Sequence, residues 1–181
     1  DHRLTLHHMG YFADEMADQI AKMGVEASVN PYYLWALADK YATNGLGKAR
    51  AENLVALNSL AKRNVTTSYH SDFAMAPMEP LTLAWTAINR VTSGNKKVSQ
   101  DQRVDTYTAM KAITISAAKT LNLEHKIGSI EAGKTANFTI LKQNPFKVEP
   151  ITIKNIGILG TVYRGTFYIN KSANLKPVPL S

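Results

Sequence analysis

Cysteine is absent from the 181 residues. That excludes disulfides and thiolate metal sites, so any metal must be held by histidine and carboxylate. The same absence leaves the compartment open. No apolar run approaches the ~20 residues that a membrane-spanning helix needs. The chain opens on Asp1-His2-Arg3 with no initiator methionine, so its native N-terminus is expected to lie upstream. Negative charge is in modest deficit: 21 Lys and Arg against 14 Asp and Glu give a net +7. The basic residues are scattered, however, with Lys96-Lys97 the densest pair, and no Arg-rich helix or strand alternating aromatic and basic residues is present. A solvated, mildly basic surface is the better reading, and neither nucleic acid nor membrane is expected as a partner. At 45% hydrophobic and 19% charged, the composition is that of an ordinary globular chain and not of a disordered one.

What is present is a pattern of short apolar runs that end in polar side chains. Leu4-Thr5-Leu6 leads into His7-His8, Val25–Val29 into Asn30-Pro31, and Val65–Tyr69 into His70-Ser71-Asp72. Such runs read as buried parallel strands. Their polar endings fall on the face where α/β enzymes build their sites. Taken singly, each ending could equally be a satisfied polar residue at a strand end.

Between and after these runs the spacing predicts helices. Tyr11–Met23 carries Phe12, Met16, Ile20 and Met23 at helical spacing and stops at Gly24. Arg50–Lys62 puts Leu54, Leu57 and Ala61 on one face. A third helix runs through Leu83, Ala84, Ala87, Ile88 and Val91, following Pro77 and Pro80. Ser99 to Gln102 fits a capping box. It would open a long helix to about Leu121 with Val104, Tyr107, Met110, Ile113 and Ala117 as its core stripe. Beyond Leu123, strands are predicted at Phe138–Leu141, Ile151–Ile158, Thr161–Tyr163 and Thr166–Ile169. The domain plan is 1–125, then 126–170, then an extended tail at 171–181.

Three parallel strands cannot close a barrel and would leave two edges open. Four stretches address this. Asp1–His8 is similar to a "DHR…IEH" segment, Gly24–Pro31 to "GV.ASVQP", Ser71-Asp72 with Pro80-Leu81 to "SD" and "PL", and Gly128–Phe138 to "GSLE.GK.ADF". Together, in this order, they resemble the C-terminal part of the amidohydrolase superfamily. The branch is the one holding the N-substituted formamide deformylase-like and D-aminoacylase-like hydrolases. The resemblance implies an α/β fold: strands six to eight of a TIM-like (β/α)8 barrel, followed by strands of a small β-sandwich.

It also implies a metal-dependent hydrolase that cleaves an amide, formamide or cyclic amide C–N bond with metal-activated water. The cofactor would be one or two divalent ions, zinc foremost. His8 matches the sixth-strand metal ligand, and Asp72 the eighth-strand aspartate that collects the water's proton and often touches the metal. His7 stands where the family usually has Glu, and strand alternation would turn it away from a lumen that His8 faces. His70 occupies a position that is usually small, Asn30 replaces Gln, and Tyr33 stands where many members have His. These three are the substrate-facing candidates, with a hydrogen bond to a neighbouring loop as the alternative role for His70 and loop anchoring for Asn30 and Tyr33. Asn137 replaces an Asp on the sandwich side.

The expected partners are a small-molecule substrate and an upstream part of the same enzyme, with a second copy left open. Alone, residues 1–181 are expected to be catalytically silent and to associate through open strand edges. The rival reading is a non-catalytic barrel of the same fold that acts by binding or as structure.

Overall fold

The computed structural model describes residues 3–170. The predicted tail at 171–181 and the first two residues of the Asp1–His8 segment lie outside them.

Strands β1 (Thr5–His8), β2 (Glu26–Val29) and β3 (Thr67–Tyr69) form one parallel sheet in the order β1-β2-β3. Its register sets His8 beside Val29 and Val29 beside Tyr69, so the three strands finish level. Helix α1 (Asp14–Met23) links β1 to β2. Asp14 and Glu15 in its first turn and Lys22 in its last complement the helix dipole, and Gly24 ends it in a left-handed conformation at φ 65°. Phe12, Ala17 and Ile20 are buried, whereas Met16 and Met23 are exposed, so the buried stripe is narrower than the predicted one.

From β2 to β3 the chain departs from the expected single helix. A 12-residue helix, α2 (Tyr32–Thr43), follows Pro31 directly, and its Leu34 and Ala38 enter the core. Its apolar residues are spread around the helix and leave no clean period. The predicted Arg50–Lys62 helix is two short ones, α3 (Lys48–Glu52) and α4 (Leu57–Ala61). They are separated where Val55 takes φ +49°, a conformation that β-branched residues rarely enter.

After β3, α5 (Pro80–Asn89) starts on a proline at its first turn and buries Leu83, Ala84, Trp85, Ala87 and Ile88. The capping box at Ser99 does not form. Ser99 is left-handed, and only a 3₁₀ turn (Gln100–Gln102) follows. Gln102 instead turns its side-chain oxygen to the Ser59 backbone N–H, at 3.0 Å. The real N-cap is Asp105, whose carboxylate accepts from Thr108 N–H at 2.6 Å to open α6 (Thr106–Ala112). Thr114 then breaks the helical path before α7 (Ile115–Thr120). Of the predicted stripe, Val104 is buried but Tyr107 is 63% exposed.

At the amino ends of the parallel strands, ion pairs take over. Arg3 meets Glu124 at 2.8 Å, and Lys119 of α7 lies 3.6 Å from the buried Glu26 while donating to Thr66 at 3.0 Å.

The second sheet is an antiparallel meander of β4 (Phe138–Leu141), β5 (Ile158–Tyr163) and β6 (Thr166–Ile169). The predicted strand at Ile151–Ile158 is mostly a 3₁₀ helix over Pro150–Asn155, which docks on α5. There, Trp85 donates to Ile151 O at 2.7 Å, Asn89 donates to Pro150 O at 3.0 Å, and Ile153 is fully buried.

Candidate functional site

The carboxyl ends of β1 and β3 turn sharply. His8, Met9 and Asp72 all have positive φ, at 70°, 44° and 51°. Non-glycine residues enter this region infrequently, and they concentrate where side chains must be aimed rather than packed.

The turns bring three candidates into one line. Tyr33 Oη lies 2.9 Å from His8 Nδ1 and donates to Asp72 Oδ2 at 3.2 Å, with His8 Nδ1 itself 3.7 Å from that oxygen. A phenol has one hydrogen. Since it goes to Asp72, the His8–Tyr33 bond must use a hydrogen on Nδ1, which leaves the lone pair of His8 on Nε2. The two rings run nearly parallel, 12° apart. Burial, and then the Asp72 carboxylate, push the Tyr33 phenol above its ordinary value, so it remains a donor. His8 and Asp72 both reach solvent, with side chains 52% and 41% exposed.

His70 completes the group. Its ring stands edge-on to His8 at 5.0 Å and lies 6.1 Å from His7. Burial first, then the neighbouring His8, lower its pKa, while Asp72 pulls the other way. A neutral imidazole results, and its Nε2 is buried with no partner among the described residues. His7, expected to turn away, shares the sheet face of Ser28 and Ser68 by register. The two histidines of β1 therefore both reach His70, because His8 has already left the strand conformation.

Asn30 stands beneath the site rather than in it. It is fully buried, its amide donates to Ser71 O at 3.2 Å, and its oxygen accepts from Tyr32 N–H at 3.0 Å. It ties the loop that bears Asp72 to the start of the helix that bears Tyr33. Two residues that the sequence did not single out belong to this support. Gly10 leaves room for Tyr33, whose ring carbon would be 3.4 Å from a Cβ there. The other is Arg90, a lone charge in an apolar stretch, which is buried and donates to Val55 O at 2.7 Å.

No group of three His, Asp or Glu able to hold a metal ion occurs among the described residues. A crevice of about 520 Å³ lined in part by Lys119, Glu124, His125, Glu131 and Lys134 lies elsewhere, open to solvent.

Parallel strands joined by helices define an α/β protein, the fold class that builds its sites at strand carboxyl ends. Comparison with known proteins narrows the class. A model described as "Amidohydrolase family" matches residues 1–169, and the chain belongs to that family. It is 32% identical over 146 residues to the protein LONG AFTER FAR-RED 3 of Arabidopsis thaliana, covering 80% of this chain and 25% of that one. It is 24% identical over 176 residues to an N-substituted formamide deformylase of Arthrobacter pascens, covering 94% and 32%.

In fold it is similar to an adenosine deaminase of Xanthomonas campestris with bound zinc: TM-score 0.68, 18% identity, 97% of this chain and 39% of that one. It is also similar to an uncharacterized metal-dependent hydrolase of Pyrococcus horikoshii, with TM-score 0.67, 23% identity, and 81% and 30% coverage. The chain spans about a quarter to a third of the length of these curated relatives.

Proposed function

We propose that this chain forms the C-terminal part of a metal-dependent hydrolase that cleaves a C–N bond of an amide, formamide or cyclic amide. On this reading β1, β2 and β3 are strands six to eight of a (β/α)8 barrel, and the antiparallel sheet is part of a small β-sandwich. The observation that carries it is the hydrogen-bonded line His8–Tyr33–Asp72, assembled from the end of β1, the first turn of α2 and the loop after β3. The two outer edges of the parallel sheet, unpaired among the described residues, also support it.

In kind, His8 and Asp72 fit a divalent ion. A neutral imidazole nitrogen and a carboxylate oxygen suit a borderline cation, zinc foremost, in a chain without thiolates. In number they fall short of a full coordination sphere, so the remaining ligands would come from strands outside this chain. When bound, the ion supplies Lewis acidity and brings the pKa of water toward ~7.

The chain's own residues do the rest. Tyr33 accepts the Nδ1 hydrogen, which fixes the His8 ring and presents Nε2 as the donor atom. Asp72 uses Oδ2 for Tyr33 and keeps Oδ1 to collect a proton and pass it to the leaving nitrogen. His70, held neutral, offers Nε2 to a polar group of the substrate.

Elemental analysis of the longer protein and its His8→Ala variant tests this reading. The wild type should carry at least one equivalent of metal and the variant markedly less, and equal contents would remove His8 from the site. A longer protein with neither metal nor hydrolysis would favour a non-catalytic barrel instead. The lack of a three-donor group among the described residues keeps that second reading in play.

A further inference from the structure

Arg90 is a cation sealed in the protein. It is 1% exposed and sits at the end of α5 with φ +47°. A buried charge is costly unless its donors are satisfied, yet among the described residues no carboxylate hydrogen-bonds to it. Its guanidinium donates instead to four backbone carbonyls: Val55 O at 2.7 Å, Leu54 O at 2.9 Å, Glu52 O at 3.0 Å and Val98 O at 3.3 Å. Three of the four belong to the break between α3 and α4, where the carbonyls have lost the helical partners that would otherwise receive them. A planar fork of five donors can gather such a set, and a single ammonium cannot.

The break leads back to the site. The Val55 N–H, aimed by the left-handed backbone, donates to Gly10 O at 2.8 Å. Gly10 in turn lies against the ring of Tyr33, whose hydroxyl joins His8 to Asp72. We infer that Arg90, acting through the Val55–Gly10 hydrogen bond, positions Tyr33 between His8 and Asp72. It is a positioning residue, and nothing in the geometry brings it to the reacting atoms. The inference rests on the proposed function only for its consequence in catalysis. The link itself is a matter of geometry.

The test uses the longer protein with ¹⁵N-labelled histidine, the His8 Nδ1 resonance being assigned by its loss in His8→Gln. Tyr33→Phe removes the hydrogen-bond partner and should shift that resonance. Arg90→Lys keeps the charge but loses the fork, and should shift it in the same direction. In the Tyr33→Phe background, Arg90→Lys should add no further shift, as expected of one linked unit. A folded Arg90→Lys protein with an unmoved His8 resonance, or shifts that simply add, would overturn the proposal.

Should Arg90→Lys fail to fold, Gly10→Val, whose γ-carbons extend past a Cβ that already stands 3.4 Å from a Tyr33 ring carbon, pushes on Tyr33 from the other end of the link while leaving all four Arg90 bonds in place. It should move the His8 resonance, and an unmoved one would again overturn the link. Titration with Zn²⁺ alone gives the second readout. Arg90→Lys should weaken binding by ~10–100-fold, the usual effect of losing support behind a ligand. A wild type that binds no Zn²⁺ would sink the metal reading alone, and the His8 resonance would still decide the role of Arg90.

Discussion

The two sheets of this chain contain three strands each, and β2 of one and β6 of the other are covered to opposite degrees. Every residue of β2 in the parallel sheet is buried, whereas every residue of β6 in the antiparallel sheet is exposed. Helices on the parallel sheet supply apolar surface, so Ala27 and Val29 lose contact with water altogether. The antiparallel sheet has a comparable apolar face. Register places Phe138, Val162 and Phe167 in one row and Ile140 and Ile169 in the next, yet Ile140, Phe167 and Ile169 remain exposed. Strand pairing alone therefore does not make a core. In the first sheet the central strand β2 has both its pairing and its cover within the described residues, while edge strand β1 is mostly exposed; the second sheet has its pairing and little cover. Under the proposed function, the remainder of the sandwich would lie on that row.

The comparison can be broken or sharpened by measurement. The largest effect is expected at the carboxyl end of the covered sheet. Asp72→Asn in the longer protein should lower turnover by ~10²–10⁴-fold with folding unchanged, because an amide cannot take up the proton. Wild-type turnover would show that Asp72 is not the base. Next comes Leu60→Ala beneath the same sheet. Leu60 is fully buried, so urea unfolding should show a loss of about 2–5 kcal/mol.

Ile169→Ala sets the contrast. At 53% exposure, it should change the stability of the 181-residue chain by no more than about 0.5 kcal/mol. In the longer protein, where the sandwich would cover it, the loss should reach about 2 kcal/mol. Equal small losses in both lengths would mean that this face stays open.

The smallest effect concerns acid. Arg3 holds Glu124 down to about 2 from an ordinary 4.5. The unfolded chain then binds the proton first, so this pair's contribution is present above pH 4.5 and is lost as pH falls toward 2. Glu124→Gln should flatten that part of a plot of unfolding midpoint against pH. An unchanged slope would show that the pair is already open in solution.

Most strands of both sheets were legible because their signal is local, but the apolar run Ile151–Ile158 read as a strand and folds mostly as a 3₁₀ helix. Short β-branched runs ending in His8, Asn30 and His70–Asp72 state their own positions, and Gly24 announces its stop. The site was legible at its two ends, His8 and Asp72, which are polar residues at strand termini. What escaped was decided at long range. The break at Val55 follows from a cation 35 residues away in sequence, which no helical period encodes. Gln102 left its capping box because Ser59 offered a buried N–H. Helix α2 carries apolar residues around its whole circumference, so it reads as neither a stripe nor a strand, and with it the joining role of Tyr33 stayed hidden. Asn30 read equally as a substrate-facing amide and as a loop anchor. It is an anchor because both its functional ends are consumed by Ser71 and Tyr32.

The docking of the Pro150–Asn155 turn on α5 gives the molecule an optical gauge of its own integrity. Trp85 is 3% exposed, its indole N–H is bound to Ile151 O, and the Lys154 ammonium sits 3.7 Å above its ring. An indole kept from water emits to the blue of a hydrated one. Trp35, half-buried in α2, contributes a separate background that Trp35→Phe would remove. The remaining fluorescence would then report, without any label, whether the second sheet is still fastened to the first.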